Sequence, residues 1–268
     1  MTIHTTHIMT KALFFDIDGT LVSFNTHAIP ASTVAALEEA KQRGLRIFIS
    51  TGRPMRFINN LQPIAHLIDG YMTTNGGYCF IGNRTVSLHP IAADDVAKVL
   101  DACRKSQTGC VVVGKEKIAA LYPEKMQYIM DAMLHIPYEQ WLSPIDEVVG
   151  HDDILQLTPF FTAEQEAEVV TQLHSVTSAR WYPDFTDITA RKADKGQGLV
   201  AMAEAEGIAV ADTMAFGDGG NDIPIIRQAG IGVVMGNGGD DVKAVADYVT
   251  ASVDDDGIEK ALRHFKVI

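Results

Sequence analysis

The sequence predicts an α/β protein, in which a doubly wound parallel sheet is interrupted by an inserted α+β domain. Near both ends of the chain, short apolar runs alternate with helical patterns, which is typical of βαβ units. The middle of the chain lacks this alternation and places strand-like runs between two helical stretches. With 268 residues, 47% of them hydrophobic, the chain can bury one large core and a smaller second one.

The first part of the predicted core comprises residues 1–82 and opens with an irregular polar leader at 1–10. We assign this leader no function, and Met9 is an alternative start. The elements that follow are the strand KALFFDI, the helix STVAALEEAKQRG, the strand LRIFIST, the proline-started helix PMRFINNLQPI and the strand IDGYMTTN. Gly44 lies where a helix ends in a left-handed residue, and Pro54 lies where a first helical turn tolerates proline.

Residues 83–187 are predicted to form the inserted α+β domain. Helical stretches near 94–106 and 163–175 are separated by the strand-like runs CVVVG, KIAALY and DILQLTPFF. The segment TAEQ at 162–165 has the pattern of a capping box. In residues 188–268 the alternation of strand and helix patterns returns, with KGQGLVAMAEAEG, TMAFGDGGND, IPIIRQAG, IGVVMGN and VKAVADYV. They are expected to complete the sheet that the first segment begins.

Composition argues against several classes of function. The formal net charge is -12 and only 22 residues are Lys or Arg, which disfavours a nucleic-acid surface. No apolar stretch approaches the roughly 18 residues of a membrane span, so we expect no membrane partner and a cytoplasmic location. Cys79, Cys103 and Cys110 form no CxxC pair, which argues against a disulfide framework or a zinc site. Nothing in the sequence indicates an oligomeric state.

Polar residues close every predicted core strand. In open parallel α/β sheets, ligands bind outside the carboxyl ends of the strands. The residues at these ends, or at the start of a following helix, are Asp16, Asp18, Ser50, Thr51, Gly52, Arg53, Thr74, Asn75, Gly76, Lys195, Asp218, Asn221 and Asp222. Because these ends share one edge of the sheet, we expect the side chains to converge there.

This convergence favours phosphoryl transfer. Several carboxylates on one edge repel each other unless a hard cation lies among them, and Mg²⁺ prefers oxygen ligands and shares its shell with substrate phosphate. The Thr51 hydroxyl, the Lys195 ammonium and free N–H groups of the loop at Gly52 would donate to phosphate oxygens. The pattern therefore predicts a small phosphorylated molecule as the substrate.

Asp16 and Asp18 are expected to have different roles. Residues one apart on a strand point the same way, but Gly19 allows the chain to turn and takes Asp18 away from the metal. We assign Asp16 as the nucleophile that forms an aspartyl phosphate. Asp18 would protonate the leaving alkoxide and then deprotonate the hydrolytic water.

Four motifs in this order resemble those of the haloacid dehalogenase (HAD) superfamily of aspartate-nucleophile phosphatases. They are FFDIDGTLV at 14–22, ISTGR at 49–53, Lys195 in KGQGL, and FGDGGND at 216–222. The insertion resembles the type-2 (C2B) cap of Cof-type sugar phosphatases, and within that group the chain resembles a bacterial hexose-phosphate phosphatase type. The resemblance implies a Rossmann-like HAD core, and the short interval between residues 18 and 52 leaves no room for a cap there.

The resemblance also implies a metal site. Asp16 would be both nucleophile and Mg²⁺ ligand, and Asp18 would be the acid/base and lend its backbone carbonyl to the metal. Asp218 would complete the protein's share of the coordination, while Asp222 would support the metal's waters or Lys195.

On the phosphate side, the resemblance implies that Thr51 and Lys195 bind the transferring phosphoryl group and that Asn221 touches it. Lys192 is the rival for the lysine role, and we favour Lys195 because KG followed by an apolar helix start matches the family better. Arg53 is expected either to contact substrate or cap or to form a structural ion pair, and Asn75 either to contact them or to satisfy a turn.

The inserted domain offers only candidates ranked by side-chain chemistry. Trp181 and Tyr182 would either stack on a sugar ring or pack at the hinge, and packing is favoured. Trp141 and Arg180 are further candidates for contacts with the substrate.

Hydrolysis of a hexose or related sugar phosphate is the leading hypothesis for function. A sugar-phosphate phosphotransferase or mutase is the alternative within enzymes, disfavoured because no cluster of cap arginines marks a second phosphate site. A phospho-acceptor regulatory module and a non-catalytic sugar-phosphate binder are the alternatives outside enzymes. The presence of both Asp16 and Asp18 argues against the last two.

Overall fold

The computed structural model of the chain describes residues 10–126 and 138–268, so the predicted leader lies almost wholly outside the described residues. The chain divides into two units. The core unit comprises Met1–Ser87 and Asp194–Ile268, and the inserted unit comprises Leu88–Ala193. The predicted boundaries, after residues 82 and 187, fall earlier than these: nearly all of the strand Arg84–Leu88 belongs to the core unit, and the strand Phe185–Ala190 belongs wholly to the inserted unit.

The strands of the described residues are β1 (Ala12–Phe15), β2 (Arg46–Ser50), β3 (Gly70–Thr73), β4 (Tyr78–Ile81), β5 (Arg84–Leu88), β6 (Cys110–Gly114), β7 (Ile118–Leu121), β8 (Ile154–Pro159), β9 (Val176–Tyr182), β10 (Phe185–Ala190), β11 (Thr213–Gly217), β12 (Ile231–Val234) and β13 (Tyr248–Val249). The α-helices are α1 (Ala31–Gln42), α2 (Ala93–Ser106), α3 (Ile145–Val148), α4 (Ala163–Val170), α5 (Lys195–Ala205), α6 (Ile223–Gln228), α7 (Asp240–Lys243) and α8 (Gly257–His264).

The sheet of the core unit has the strand order β13-β12-β11-β1-β2-β3-β4-β5. All neighbours from β13 to β3 run parallel, and β4 turns back antiparallel to β3. The chain moves outward from β1 through β2 and β3 on one side and through β11 to β13 on the other. The order therefore reverses between β1 and β11, and such a switch point is where open α/β sheets bind ligands.

Helices cover both faces of this sheet, which confirms the predicted doubly wound α/β core. Phe15 packs in a buried cluster with α1 and α8, and Phe14 packs on the other face with α5 and α6. Phe15 stacks on Phe216 and Phe14 on Phe48, with ring centroids 4.7 and 4.8 Å apart. A strand apolar on both faces is what a fully covered parallel sheet requires.

The inserted unit has a sheet of order β7-β6-β8-β10-β9, in which β6–β7, β6–β8, β8–β10 and β9–β10 pair antiparallel. Its core includes Val99 and Cys103 of α2, packed with Val112 of β6, Leu157 of β8 and Ile188 of β10. Strands and helices segregated in this way form an α+β unit.

Several local predictions differ from the structure. PMRFINNLQPI forms two short 3₁₀ helices, Met55–Phe57 and Gln62–Leu67, because proline and the asparagine pair between them disfavour a continuous α-helix. The hairpins β4–β5 and β9–β10 were not predicted as strands. The helix predicted at 163–175 ends at Val170, although its capping box is confirmed by reciprocal bonds between Thr162 and Gln165.

Within the described residues, none of the helices combines the length and the apolar character needed to span a membrane.

Candidate active site

Asp16 lies at the carboxyl end of β1, beside the switch point. Its backbone N–H donates to the carbonyl of Phe216 at 3.1 Å, which extends the β1–β11 ladder by one residue and places Asp16 next to the end of β11. Lys195 begins α5, whose N-terminus is capped by Asp194 accepting from the N–H of Gln197 at 2.8 Å. The Lys195 ammonium donates to Asp16 Oδ1 at 2.8 Å, and its side chain is fully buried.

Asp222 holds the other side of Lys195. Its Oδ1 accepts from Lys195 Nζ at 2.6 Å, and its Oδ2 accepts from the backbone N–H groups of Asp218 and Gly219, each at 3.0 Å. Both carboxylate oxygens are therefore engaged by this chain. Asp222 orients Lys195 and the loop that carries Asp218.

Asp218 follows β11 and is held by two side chains from other loops. Thr20 donates its hydroxyl to Asp218 Oδ1 at 3.0 Å, and Asn237 Nδ2 lies 3.4 Å from Asp218 Oδ2. Gly19 adopts a φ of +81°, and a Cβ at this position would lie 2.2 Å from Asp218 Oδ2. Only glycine permits both the turn and this approach.

Oxygen atoms of Asp16, Asp218 and Asp222 lie within 4.8 Å of one another, and we call these three side chains the acidic cluster. Burial, with the neighbouring charge of Asp222, raises the pKa of Asp16 to about 8, although Lys195 lowers it. Burial and Asp222 also raise the pKa of Asp218 to about 6. Burial lowers the pKa of Lys195, but the charges of Asp16 and Asp222 outweigh burial and raise it above its ordinary value.

The acidic cluster fits a divalent cation. Within the described residues, the three carboxylates have one ammonium group beside them, that of Lys195, which bonds to Asp16 and Asp222, so the cluster carries more negative charge than Lys195 neutralises. Oxygen-only donors of this kind suit Mg²⁺. Since both oxygens of Asp222 are occupied, Asp16 and Asp218 are the carboxylates best placed to bind it. Among the described residues, no hydrogen bond engages Asp16 Oδ2.

Asp18 lies apart from the acidic cluster. Arg53 donates two hydrogen bonds of 2.7 Å to the Asp18 carboxylate, from Nε to Oδ2 and from a terminal nitrogen to Oδ1. A third bond, from Arg53 to the carbonyl of Phe57 at 2.9 Å, fixes the guanidinium. The Asp18 side chain remains 34% exposed, so it is accessible to a substrate.

The phosphate-side residues meet beside this pair. Thr51 is buried, and its hydroxyl oxygen accepts from the N–H of Arg53 at 3.1 Å. In the part of the chain that the structure describes, the Gly52 N–H has no acceptor. A Cβ on Gly52 would lie 3.2 Å from Asn75 Oδ1, and Asn221 donates to the same oxygen at 3.0 Å. Thr51, Gly52, Asn75 and Asn221 therefore line one corner of the site.

The structure brings the candidate catalytic, metal-binding and phosphate-binding residues to the carboxyl edge of the core sheet, namely Asp16, Asp18, Thr51, Gly52, Arg53, Asn75, Lys195, Asp218, Asn221 and Asp222. Arg53 was expected to contact substrate or cap or to form an ion pair, and it forms an ion pair with Asp18. Asn75 was expected to contact substrate or cap or to satisfy a turn, and it lies in a turn. Lys192 is exposed and belongs to the inserted unit, whereas Lys195 is buried in the site.

Two of the candidate substrate-binding residues of the inserted unit contact other residues of that unit. Arg180 is engaged by Glu166 at 2.7 Å and by the carbonyls of Pro183 and Phe161, so its guanidinium stabilises its own unit. The side chain of Trp181 lies outside the described residues. Tyr182 stacks on Phe185 of its own unit, with ring centroids 5.4 Å apart.

Sequence reasoning missed Thr20 and Asn237. Asn237 donates to the carbonyl of Gly19 at 2.8 Å and accepts from the N–H of Val253 at 2.9 Å, so it links the Asp218 loop to two others. Its signal was its position directly after β12, in MGN, at the same edge of the sheet as the other strand ends. Thr20 followed DIDG but carried no separate pattern.

Comparisons with known proteins agree with this geometry. A family model described as haloacid dehalogenase-like hydrolase matches residues 13–262. One solved structure, from a study of a trigonal-bipyramidal intermediate in a phosphoryl-transfer superfamily, is 46% identical with a TM-score of 0.87 and covers 97% of this chain and 100% of its own. Another, the HAD subclass IIB sugar phosphatase BT4131, is 45% identical with a TM-score of 0.85 and the same coverage. The putative phosphatase YkrA of Bacillus subtilis is 27% identical over 96% of this chain and 98% of its own.

Proposed function

The chain belongs to the haloacid dehalogenase-like hydrolases and is a phosphatase of the Cof-type group, and on that premise we propose that it hydrolyses hexose or related sugar phosphates with Mg²⁺. The observation that carries the proposal is the placement of Asp16, with one oxygen held by buried Lys195 and the other free among the described residues, beside Asp218 at the switch point. A neutral ligand would leave the excess negative charge of the acidic cluster uncompensated. A cation with a phosphoryl group coordinated to it would complete the site.

Asp16 Oδ2 is the proposed nucleophile. It would attack the substrate phosphorus as the bond from phosphorus to the sugar oxygen breaks, giving an aspartyl phosphate and a sugar hydroxyl. Lys195 holds Asp16 in place and stabilises the developing charge through its ammonium group. When bound, Mg²⁺ would neutralise charge on the carboxylate and phosphoryl oxygens.

Asp18 is the proposed proton carrier. It would give a proton to the departing sugar oxygen and later take one from the water that attacks the aspartyl phosphate, which releases inorganic phosphate and restores Asp16. The two bonds from Arg53 occupy both carboxyl oxygens of Asp18. The proposal therefore includes opening of this ion pair before Asp18 delivers a proton.

Thr51, the free N–H of Gly52 and Asn221 are the proposed donors to the phosphoryl oxygens. The sugar as substrate class draws its support from the similar protein BT4131, a sugar phosphatase. The net charge of -12 supports a small-molecule partner over nucleic acid. A cytoplasmic location is part of the same proposal.

Phosphate release tests the proposal, measured with sugar phosphates, nucleotides and an aryl phosphate, with Mg²⁺ and with EDTA. Lys195→Met and Lys192→Met form a matched pair, because both remove one ammonium group close together in sequence. We expect Mg²⁺-dependent release from sugar phosphates, lost in Lys195→Met and retained in Lys192→Met. Equal activity in both variants would contradict the assigned site. Transfer of the phosphoryl group to an added sugar without release would favour the phosphotransferase alternative.

A further inference from the structure

The turn after β3 has three consecutive residues with a positive φ. Thr74, Asn75 and Gly76 have φ angles of +48°, +55° and +92°. Left-handed φ is tolerated by asparagine and glycine but is unfavourable for a β-branched residue, so the strain of this turn lies at Thr74. Thr74 is also completely buried, and its hydroxyl has no hydrogen-bond partner among the residues that the structure describes. Strain of this kind persists where the surrounding structure imposes it, and it clusters at functional sites.

The surrounding structure imposes it through the site itself. The N–H groups of Thr74 and Asn75 donate to the carbonyls of Arg53 and Thr51, at 3.2 and 3.0 Å. A Cβ on Gly76 would lie 2.6 Å from the carbonyl of Asp194, so this glycine lets the turn pack against the residue that caps α5. The turn therefore joins the segment that carries Thr51 to the N-terminus of the helix that begins with Lys195.

This turn determines where the Asn75 side chain lies. Its Oδ1 accepts from Asn221 Nδ2 at 3.0 Å and approaches the Cα of Gly52 closely enough that a Cβ there would meet it at 3.2 Å. An amide nitrogen has two hydrogens, and the one that Asn75 accepts fixes the plane of the Asn221 amide. An unstrained turn would not carry the Asn75 side chain to this point.

We propose that Asn75 is a positioning residue for the phosphoryl group, which the strained Thr74–Gly76 turn presents to Asn221 and to the Gly52 backbone. The inference rests on the proposed function and deepens it. Asn75 acts through Asn221, because it accepts a hydrogen bond from the Asn221 amide. A turn without the strain at Thr74 would place Asn75 elsewhere and leave the Asn221 amide without this hydrogen bond.

The test separates this role from that of a simple turn former. Asn75→Gly removes the amide but suits the left-handed backbone better, so we expect the midpoint of thermal unfolding to stay equal or rise. We also expect the affinity for inorganic phosphate with Mg²⁺, measured by calorimetry, to fall about tenfold, and kcat for an aryl phosphate to fall on the order of 10²-fold. Full affinity and kcat in this variant would overturn the proposal.

Gln107→Gly is the matched control. Gln107 is the left-handed residue that follows α2 in the inserted unit, with a φ of +55°. It gives the same backbone relief away from the site, so phosphate affinity and kcat should be unchanged. A loss in both variants alike would show that relief of a left-handed residue, and not the Asn75 amide, causes the effect.

A double-mutant cycle with Asn221→Ala tests the route of action. If Asn75 works through Asn221, the double variant should bind phosphate no more weakly than the weaker single variant. Additive losses would contradict that route. If the wild type releases no phosphate from any substrate but binds inorganic phosphate, the proposed function fails while the binding cycle still decides the role of Asn75. A wild type that does not bind phosphate overturns both.

Discussion

Two buried aspartates, Asp16 in the core unit and Asp95 in the inserted unit, have pKa values that are shifted in opposite directions. Asp16 is 7% exposed and Asp95 is 1% exposed. Burial raises the pKa of Asp16 to about 8. Burial also acts to raise the pKa of Asp95, but hydrogen bonds from the Ser175 hydroxyl and from the N–H groups of Ser175 and His174 outweigh it and lower the pKa to about 2.

The two pKa shifts differ in direction because Asp95 accepts more hydrogen bonds than Asp16. Asp95 Oδ2 accepts three hydrogen bonds of 2.7 to 3.0 Å, and Lys98 lies 3.5 Å from its other oxygen. Asp16 accepts one bond, from an ammonium that it shares with Asp222, and it lies close to two other carboxylates. Asp95 Oδ1 accepts no hydrogen bond within the described residues, but the three donors on Oδ2 and the nearby Lys98 ammonium compensate the charge of this carboxylate, which therefore stabilises structure. A buried carboxylate left without such compensation, in a cluster at a sheet switch point, is available for a cation and a substrate.

Asp16→Asn gives the largest expected effect on activity. The substitution keeps the shape but removes the nucleophile, so phosphate release should fall by at least about 10⁴-fold. It also removes one of three mutually repelling carboxylates, so the midpoint of thermal unfolding should not decrease. Measurable turnover near the wild-type rate would contradict covalent catalysis, and a large drop in the midpoint would show that Asp16 is structural, like Asp95.

Asp18→Ala is expected to have the next largest effect, and one that depends on the leaving group. Release from sugar phosphates should fall about 10²- to 10⁴-fold, because an alkoxide needs a proton to leave. Release from an aryl phosphate should fall much less. The ratio of kcat values for the two substrates, compared between wild type and variant, checks this role. Equal losses on both would count against Asp18 as the acid.

Asn237→Ala tests whether the acidic cluster, unlike the Asp95 carboxylate, binds a cation. Loss of the amide frees Asp218 and the Gly19 loop, and we expect Mg²⁺ affinity to weaken about tenfold, as for other residues that orient metal ligands. Mn²⁺ titration followed by electron paramagnetic resonance measures this without turnover. Asn25→Ala, which removes a bond to Asp254 in an exposed loop, is the control and should bind metal as the wild type does.

Asp95→Asn should leave kcat/KM unchanged and lower the free energy of unfolding at pH 7 by about 2 kcal/mol. The folded pKa of about 2 lies below the unfolded value of 3.8, so this stability is present above about pH 4 and is lost as the pH falls toward 2. Urea unfolding at pH 7 and pH 3.5 should show the gap between wild type and variant narrowing in acid. Asp101→Asn, on an exposed face of the same helix, is the control. A gap that is constant with pH would contradict the assignment.

The candidate site was predictable from the sequence because its residues stand at strand ends. FFDIDG, STGR and GDGGND each follow an apolar run, and parallel strands bring their carboxyl ends to one edge whatever the details of packing. The same logic predicted Mg²⁺ as the cation, which the acidic cluster fits. The 3₁₀ segments after Pro54 and the β4–β5 hairpin were missed because short apolar runs do not distinguish these elements by periodicity alone.

The sequence by itself determined the class of fold, the order of its elements and the types of side chain at the sheet edge, since these follow from local pattern. Only the tertiary structure decided how those side chains are partnered: Asp222 with Lys195, Asp18 with Arg53, Asn221 with Asn75. Partnership depends on distances between loops far apart in sequence, and the strain at Thr74 and the opposite pKa shifts of Asp16 and Asp95 arise from those contacts. Residue type sets which chemistry is available, and three-dimensional packing sets which carboxylate is left free to perform it.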